Sequence, residues 1–135
     1  MRIKDNNNFP KGIIVKVRKN LRSQATLKEI VKLWNKTVIP SLNTLREQKD
    51  VFNQIEGIYI DSGSLMCEDR TIVVAGDSEL HLLCKTSSWP YEILLLYGAK
   101  INIIAEKGAN IIIHNRNGIV NIDADSSCTI SVKEI

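Results

Sequence analysis

The sequence predicts a mainly β protein with a short helical region near its start, an α+β chain in which strands dominate. Three observations predict it. From Glu92 to Ile135 glycine recurs every ten residues, at Gly98, Gly108 and Gly118, and Cys128 takes the next position. Between these marks lie short β-branched runs such as Ile101-Asn102-Ile103-Ile104 and Ile111-Ile112-Ile113, separated by turn residues. Upstream, from Thr26 to Phe52, apolar residues recur at the helical interval instead. The chain divides accordingly into residues 1–56, a basic arm with a strand and a helix or helix pair, and residues 57–135, an all-β repeat.

In order, Asn6-Asn7-Asn8 and Pro10 read as a tail without regular structure. Gly12 to Arg18 alternates, with Ile13, Val15 and Val17 on one face and Ile14, Lys16 and Arg18 on the other, which predicts a strand with a basic side. Thr26-Leu27-Lys28-Glu29 is a capping box, and Leu27, Ile30, Val31, Trp34 and Val38 follow at helical spacing until Pro40. Thr44-Leu45-Arg46-Glu47 is a second capping box, with Ser41 as a rival start, and Gly57 closes that helix. Val31, Val38, Leu45 and Phe52 lie seven apart, but Ser41 and Gln48 spoil the companion seam. The stripe therefore predicts helices laid on a sheet or on a neighbour.

Strands are predicted at Ile58–Ile60, Leu65–Cys67, Ile72–Ala75 and Leu80–Cys84. The irregular stretch from Lys85 to Pro90 then places Trp89 to plug one end of the core. In the ten-residue register the alternation keeps step: Ala99, Ile101 and Ile103; Ala109, Ile111 and Ile113; Val120, Ile122 and Ala124; Cys128, Ile130 and Val132. These share one buried face, and the opposite positions are mostly polar. Two architectures satisfy the pattern. Asn115-Arg116-Asn117-Gly118 is a good hairpin loop and favours an antiparallel meander folded into a sandwich. The glycine register favours a β-solenoid or β-prism, because stacked turns repeat their residues.

Composition bounds the function. The start of the chain lacks an apolar signal segment, and no run approaches the roughly 20 apolar residues that span a bilayer. A soluble product made in the cytoplasm is expected, with no membrane partner. Cys67, Cys84 and Cys128 contain no C-x-x-C pair and read as free thiols. Charge is polarised: residues 1–50 hold 12 Lys/Arg against 4 Asp/Glu, a net of +8, and the remainder holds 6 against 11, a net of −5. Such polarity can dock one end on an oppositely charged surface.

Candidate chemistry is sparse. His81 and Cys84 fall on opposite faces of a strand, and His114 precedes a turn as a surface residue would, so no catalytic set follows from spacing. Asp123 to Glu134 puts oxygen residues at calcium-loop positions, but Cys128 stands where the loop needs glycine and strand alternation yields the same pattern. No phosphate loop or dinucleotide fingerprint is present. The chain is expected to be no enzyme and to need no cofactor or metal. Lys16, Arg18, Lys19 and Arg22 form a basic cluster without interleaved aromatics, so phosphate contact is conceivable but base stacking, and with it a nucleic-acid partner, is unsupported. Trp89, Tyr91 and Tyr97 are the contact residues a small-ligand, glycan or protein-binding module would use.

A basic N-terminal part, a short helical region and a compact β-repeat rich in Ile, Asn and Gly are together similar to the small structural proteins of phage particles: fibre bases, head decorations, tail or baseplate parts. That resemblance implies a virion component that self-associates as a trimer or dimer through its β-repeat and docks on a larger assembly through residues 1–50. The alternative is a monomeric β-sandwich binding module.

Overall fold

The computed structural model describes Val31, Trp34 and residues 39–86 and 89–135. The expected first strand, the first capping box and the cluster Lys16, Arg18, Lys19 and Arg22 lie outside the described residues.

Among the elements described in full, two short helices, α1 (Leu42–Glu47) and α2 (Lys49–Phe52), precede nine strands. The strands are β1 (Ile58–Ile60), β2 (Gly63–Cys67), β3 (Thr71–Ala75), β4 (Ser78–Cys84), β5 (Tyr91–Leu96), β6 (Lys100–Ala105), β7 (Asn110–Arg116), β8 (Ile119–Ala124) and β9 (Thr129–Glu134). Odd strands build sheet 1, in the order β1-β3-β5-β7-β9; even strands build sheet 2, in the order β2-β4-β6-β8. Every pairing is parallel. The chain therefore winds as a β-solenoid of about four turns, alternating between the sheets.

The ten-residue mark is half a turn. Ile58 pairs with Val73, Val73 with Leu94, Leu94 with His114 and His114 with Lys133, so successive coils take 15, 21, 20 and 19 residues. The antiparallel meander is thereby corrected. Asn115–Gly118 is not a hairpin loop but a corner that carries the chain from β7 in sheet 1 to β8 in sheet 2. Asn115 closes it locally: its Oδ1 accepts from Gly118 N–H at 2.8 Å.

Corners leading from sheet 1 to sheet 2 stack a left-handed residue in each coil. Asp61, Gly76, Tyr97 and Asn117 have φ of 49, 68, 55 and 63°, and each follows the last paired residue of its sheet 1 strand. Their N–H groups extend the ladder: Asp61 donates to Ala75, Gly76 to Leu96 and Tyr97 to Arg116. Gly118 is glycine for a different reason, since a Cβ there would stand 2.3 Å from Leu95 Cγ.

Between the sheets lies a core of Ile72, Val74, Leu80, Leu82, Ile93, Leu95, Ile101, Ile103, Ile111 and Ile113, with Cys67 and Cys84 among them. Of the alternating residues singled out in the sequence, Ala99, Ile101, Ile103, Ala109, Ile111 and Ile113 are buried as expected, whereas those of the last coil are half-buried or, at Ala124 and Val132, exposed. A second core lies on the outside of sheet 1. Ile58, Ile60, Val73, Ala75, Leu94 and Leu96 meet Val31, Trp34, Ile39, Leu45, Phe52 and Ile55. The apolar stripe of the helical region is laid on a sheet, and Trp34 and Phe52 meet edge to face at 5.9 Å.

Three local expectations are corrected. The helix start is Ser41, whose Oγ accepts from Thr44 N–H, and not Thr44, which is buried one turn on. Glu47 is left too late in α1 to reach back to the cap. Trp89 is 72% exposed and plugs nothing. His114 is not a free surface histidine: its side chain is only 12% exposed and its Nε2 lies 3.1 Å from Glu92 Oε2. Among the described residues no helix is long and apolar enough to cross a membrane.

Candidate functional site

Sheet 2 differs from sheet 1 in that no described element covers its outer face. The register aligns Met66 with His81, Asn102 and Asn121, and Leu83 with Ile104 and Asp123. Parallel pairing in register stacks like on like, and it builds a polar chain across the strands. Asn121 Nδ2 donates to Asn102 Oδ1 at 3.1 Å, and Asn102 Nδ2 donates to Glu79 Oε2 at 2.8 Å. Lys100 Nζ stands 3.7 Å from the same carboxylate.

Apolar side chains flank this chain. Met66 is 77% exposed, Ile104 59%, Ile119 52% and Leu83 41%, on a face whose other residues are polar. A shallow groove of about 500 Å³ runs over Met66, His81, Leu83, Asn102 and Ile104 and reaches Asn121 and Asp123 in the last coil. Its walls offer apolar contact on both sides of a line of amides and a carboxylate.

The same face holds a serine, a histidine and a carboxylate. Ser64 Oγ lies 3.3 Å from His81 Nε2, and Glu79 Oε2 lies 3.9 Å from that same nitrogen. A relay needs the carboxylate on the other ring nitrogen from the nucleophile, so this trio orients no general base. Among the described residues no three His, Cys, Asp or Glu gather to hold a metal ion. The calcium-loop positions fall on β8, a corner and β9, and Asp125 Oδ1 is taken up locally by the N–H and hydroxyl of Ser127. Those bonds hold the Asp125 carboxyl below its usual range.

All three cysteines are free, as expected. Burial pushes the Cys84 thiol up to about 12 and the Cys67 thiol up to about 11, which keeps both protonated and poorly nucleophilic at neutral pH. Tyr59 is also pushed up, by burial first and then by donating to Asp69 Oδ2 at 2.6 Å.

The aromatic trio is dispersed in role. Trp89 is exposed beside the loop before β5. Tyr91 is 5% exposed, lies under the Arg70 guanidinium at 5.3 Å, and its hydroxyl accepts from Lys85 N–H. Tyr97 holds a left-handed corner and donates to the Pro40 carbonyl, tying the helical layer to the solenoid. Sequence reasoning missed the bare face of sheet 2. The signal was Ile104 and Leu83, apolar residues in register with the wet positions of their strands.

The second distinctive surface is the far end of the solenoid. Val120, Ile122, Cys128 and Ile130 are only partly buried although they continue the inner core, and Val132 is 45% exposed. In the preceding coil the equivalent residues Ile101, Ile103, Ile111 and Ile113 are buried.

The architecture defines the class: a two-sheet parallel β-solenoid with a helical layer on one sheet. No protein-family model, no curated protein and no solved structure matches the chain.

Proposed function

We propose that this chain is a non-enzymatic structural or assembly protein that self-associates through its β domain. Residues 1–50 dock it on a larger assembly, of the kind found in a phage particle as a fibre base, head decoration, or tail or baseplate part. One observation carries the reading. The last coil leaves core residues Val120, Ile122 and Ile130 half-covered and Val132 exposed, at a sheet end whose strands have no neighbour among the described residues. Open parallel edges with apolar flanks are sites of strand addition. The charge polarity, +8 in residues 1–50 against −5 beyond, supports a separate docking role for the basic part.

The test is the absolute mass in solution, by light scattering on a size-exclusion column at several concentrations. An oligomer supports the assembly reading; a monomer at every concentration sinks it. A second reading, a monomeric binding module, is favoured by the groove over Met66, Leu83 and Ile104. It predicts ligand-induced NMR shifts confined to those residues in a chain that stays monomeric.

A further inference from the structure

The two ends of the solenoid treat their strand edges differently. At the first coil, the side chain of Asn53, just after α2, stands where another strand would. Its Nδ2 donates to the Ile60 carbonyl at 3.0 Å and its Oδ1 accepts from Ile60 N–H at 2.9 Å. The remaining outward N–H of β1, that of Ile58, donates to Ile55. The edge of sheet 1 is sealed there.

At the last coil no described residue plays this part. Ile119 and Asp125 donate inward to Ala99 and Ala105, and Thr129 and Ile135 donate inward to Ala109 and Asn115. A parallel ladder alternates the side on which successive residues bond. The N–H and C=O groups of Val120, Ile122 and Ala124 in β8, and of Ile130, Val132 and Glu134 in β9, therefore face the open end.

We infer that this end is the contact between two copies of the chain, joined tail to tail about a two-fold axis and closed at two. The inference rests on the assembly reading and names its surface. Head-to-tail stacking cannot continue sheet 1, because Asn53 already occupies the edge that an incoming β9 would need. A two-fold axis across the solenoid instead brings the same open groups of both copies together with their strands antiparallel. Such an isologous contact consumes the open edges of β8 and β9 in both copies.

The area sets the strength. Two six-residue strands about 20 Å long, on sheets about 10 Å apart with outward side chains widening the end to about 20 Å, offer roughly 400 Å² per copy. The total, about 800 Å², lies just under the roughly 1,000 Å² floor for specific interfaces. The backbone ladder must supply much of the affinity, and dilution should separate the copies. Asp123, Asp125 and Glu134 outnumber Lys133 at this end, so added salt should tighten the dimer by screening repulsion. A contact driven by the opposite charges of the two chain halves would weaken instead.

The experiment is a distance measurement by electron paramagnetic resonance on the full chain, in a Cys128→Ser background. One sample is labelled at Lys133→Cys and another at Gln54→Cys. Sheet 1 has five strands, so its four spacings span about 19 Å. Tail-to-tail pairing puts the labels at 133 within about 20 Å of each other and the labels at 54 about 45 Å apart. Comparable distances at both positions, as a three-fold bundle with parallel axes would give, overturn the inference but leave self-association standing. No intermolecular distance at either position, with a monomer mass, overturns both. Val132→Pro removes an outward N–H without taking a ladder bond. It is expected to abolish the dimer while leaving the unfolding transition in place, and a persistent dimer overturns the proposed contact.

Discussion

Sheets 1 and 2 are wound from one chain, yet their strands read differently. In sheet 1, β3 is buried at every residue and β5 at all but Glu92, because the core fills one side and the helical layer covers the other. In sheet 2, β4 alternates buried with half-buried or exposed residues, and β6 does the same. The apolar runs Ile72-Val73-Val74-Ala75 and Ile93-Leu94-Leu95-Leu96 are what strands covered on both faces require. The run Leu80-His81-Leu82-Leu83-Cys84 is what a one-sided strand requires. Continuous hydrophobicity marks where the helices sit, and alternation marks the face left for other contacts.

Substitutions on the two outer faces break this comparison most directly. Phe52→Ala empties the helical side of sheet 1 at a fully buried ring, and a loss of about 3 to 5 kcal/mol is expected in urea unfolding. Leu94→Ala, on the strand beneath, is expected to cost about 2 to 5 kcal/mol. Asn53→Ala leaves both polar groups of Ile60 without the amide that seals them. The expected cost is about 1 to 3 kcal/mol, together with new high-mass species in light scattering as the first edge opens. Ile104→Ser, on the bare face, is expected to change stability by no more than about 0.5 kcal/mol; a larger loss would mean that this face is covered in solution.

A pH titration sharpens the same contrast. Asp61 binds the Arg46 guanidinium through both oxygens, at 2.7 and 3.1 Å, and accepts from Asp77 N–H at 2.8 Å, joining α1 to the first two coils. The Arg46 bonds hold its carboxyl below the usual range. Its folded pKa lies below its unfolded one, so its contribution is present above the unfolded pKa and is lost as pH falls through the folded value. Thermal unfolding of Asp61→Asn should therefore fall less steeply on acidification than that of the parent chain. Equal slopes would sever Asp61 from acid stability.

Much of the fold is legible in the residues. All nine described strands coincide with apolar runs, and the inward positions follow from alternation. Their direction was not legible, and the Asn115–Gly118 corner shows why. A tight hairpin and a solenoid corner both need a residue with positive φ, and Asn117-Gly118 serves either. Only long-range register separates the two, and the register is a property of the stacked coils. The helix start failed for a similar reason: Ser41 and Thr44 are both good caps, and the geometry after Pro40 selects Ser41. Of the candidate contact residues, Tyr91 could not be placed by type alone, because a tyrosine serves a core and a binding face equally well.

The asparagine seal has a consequence for how the chain is made. Asn53 lies before every described strand in the sequence, so a ribosome delivers the sealed edge of sheet 1 before the coils that stack on it. Each new coil of about 20 residues emerges against a preformed template whose sheet 1 has a single free side. Synthesis and winding then share one direction, and strands are offered in the order in which they pair.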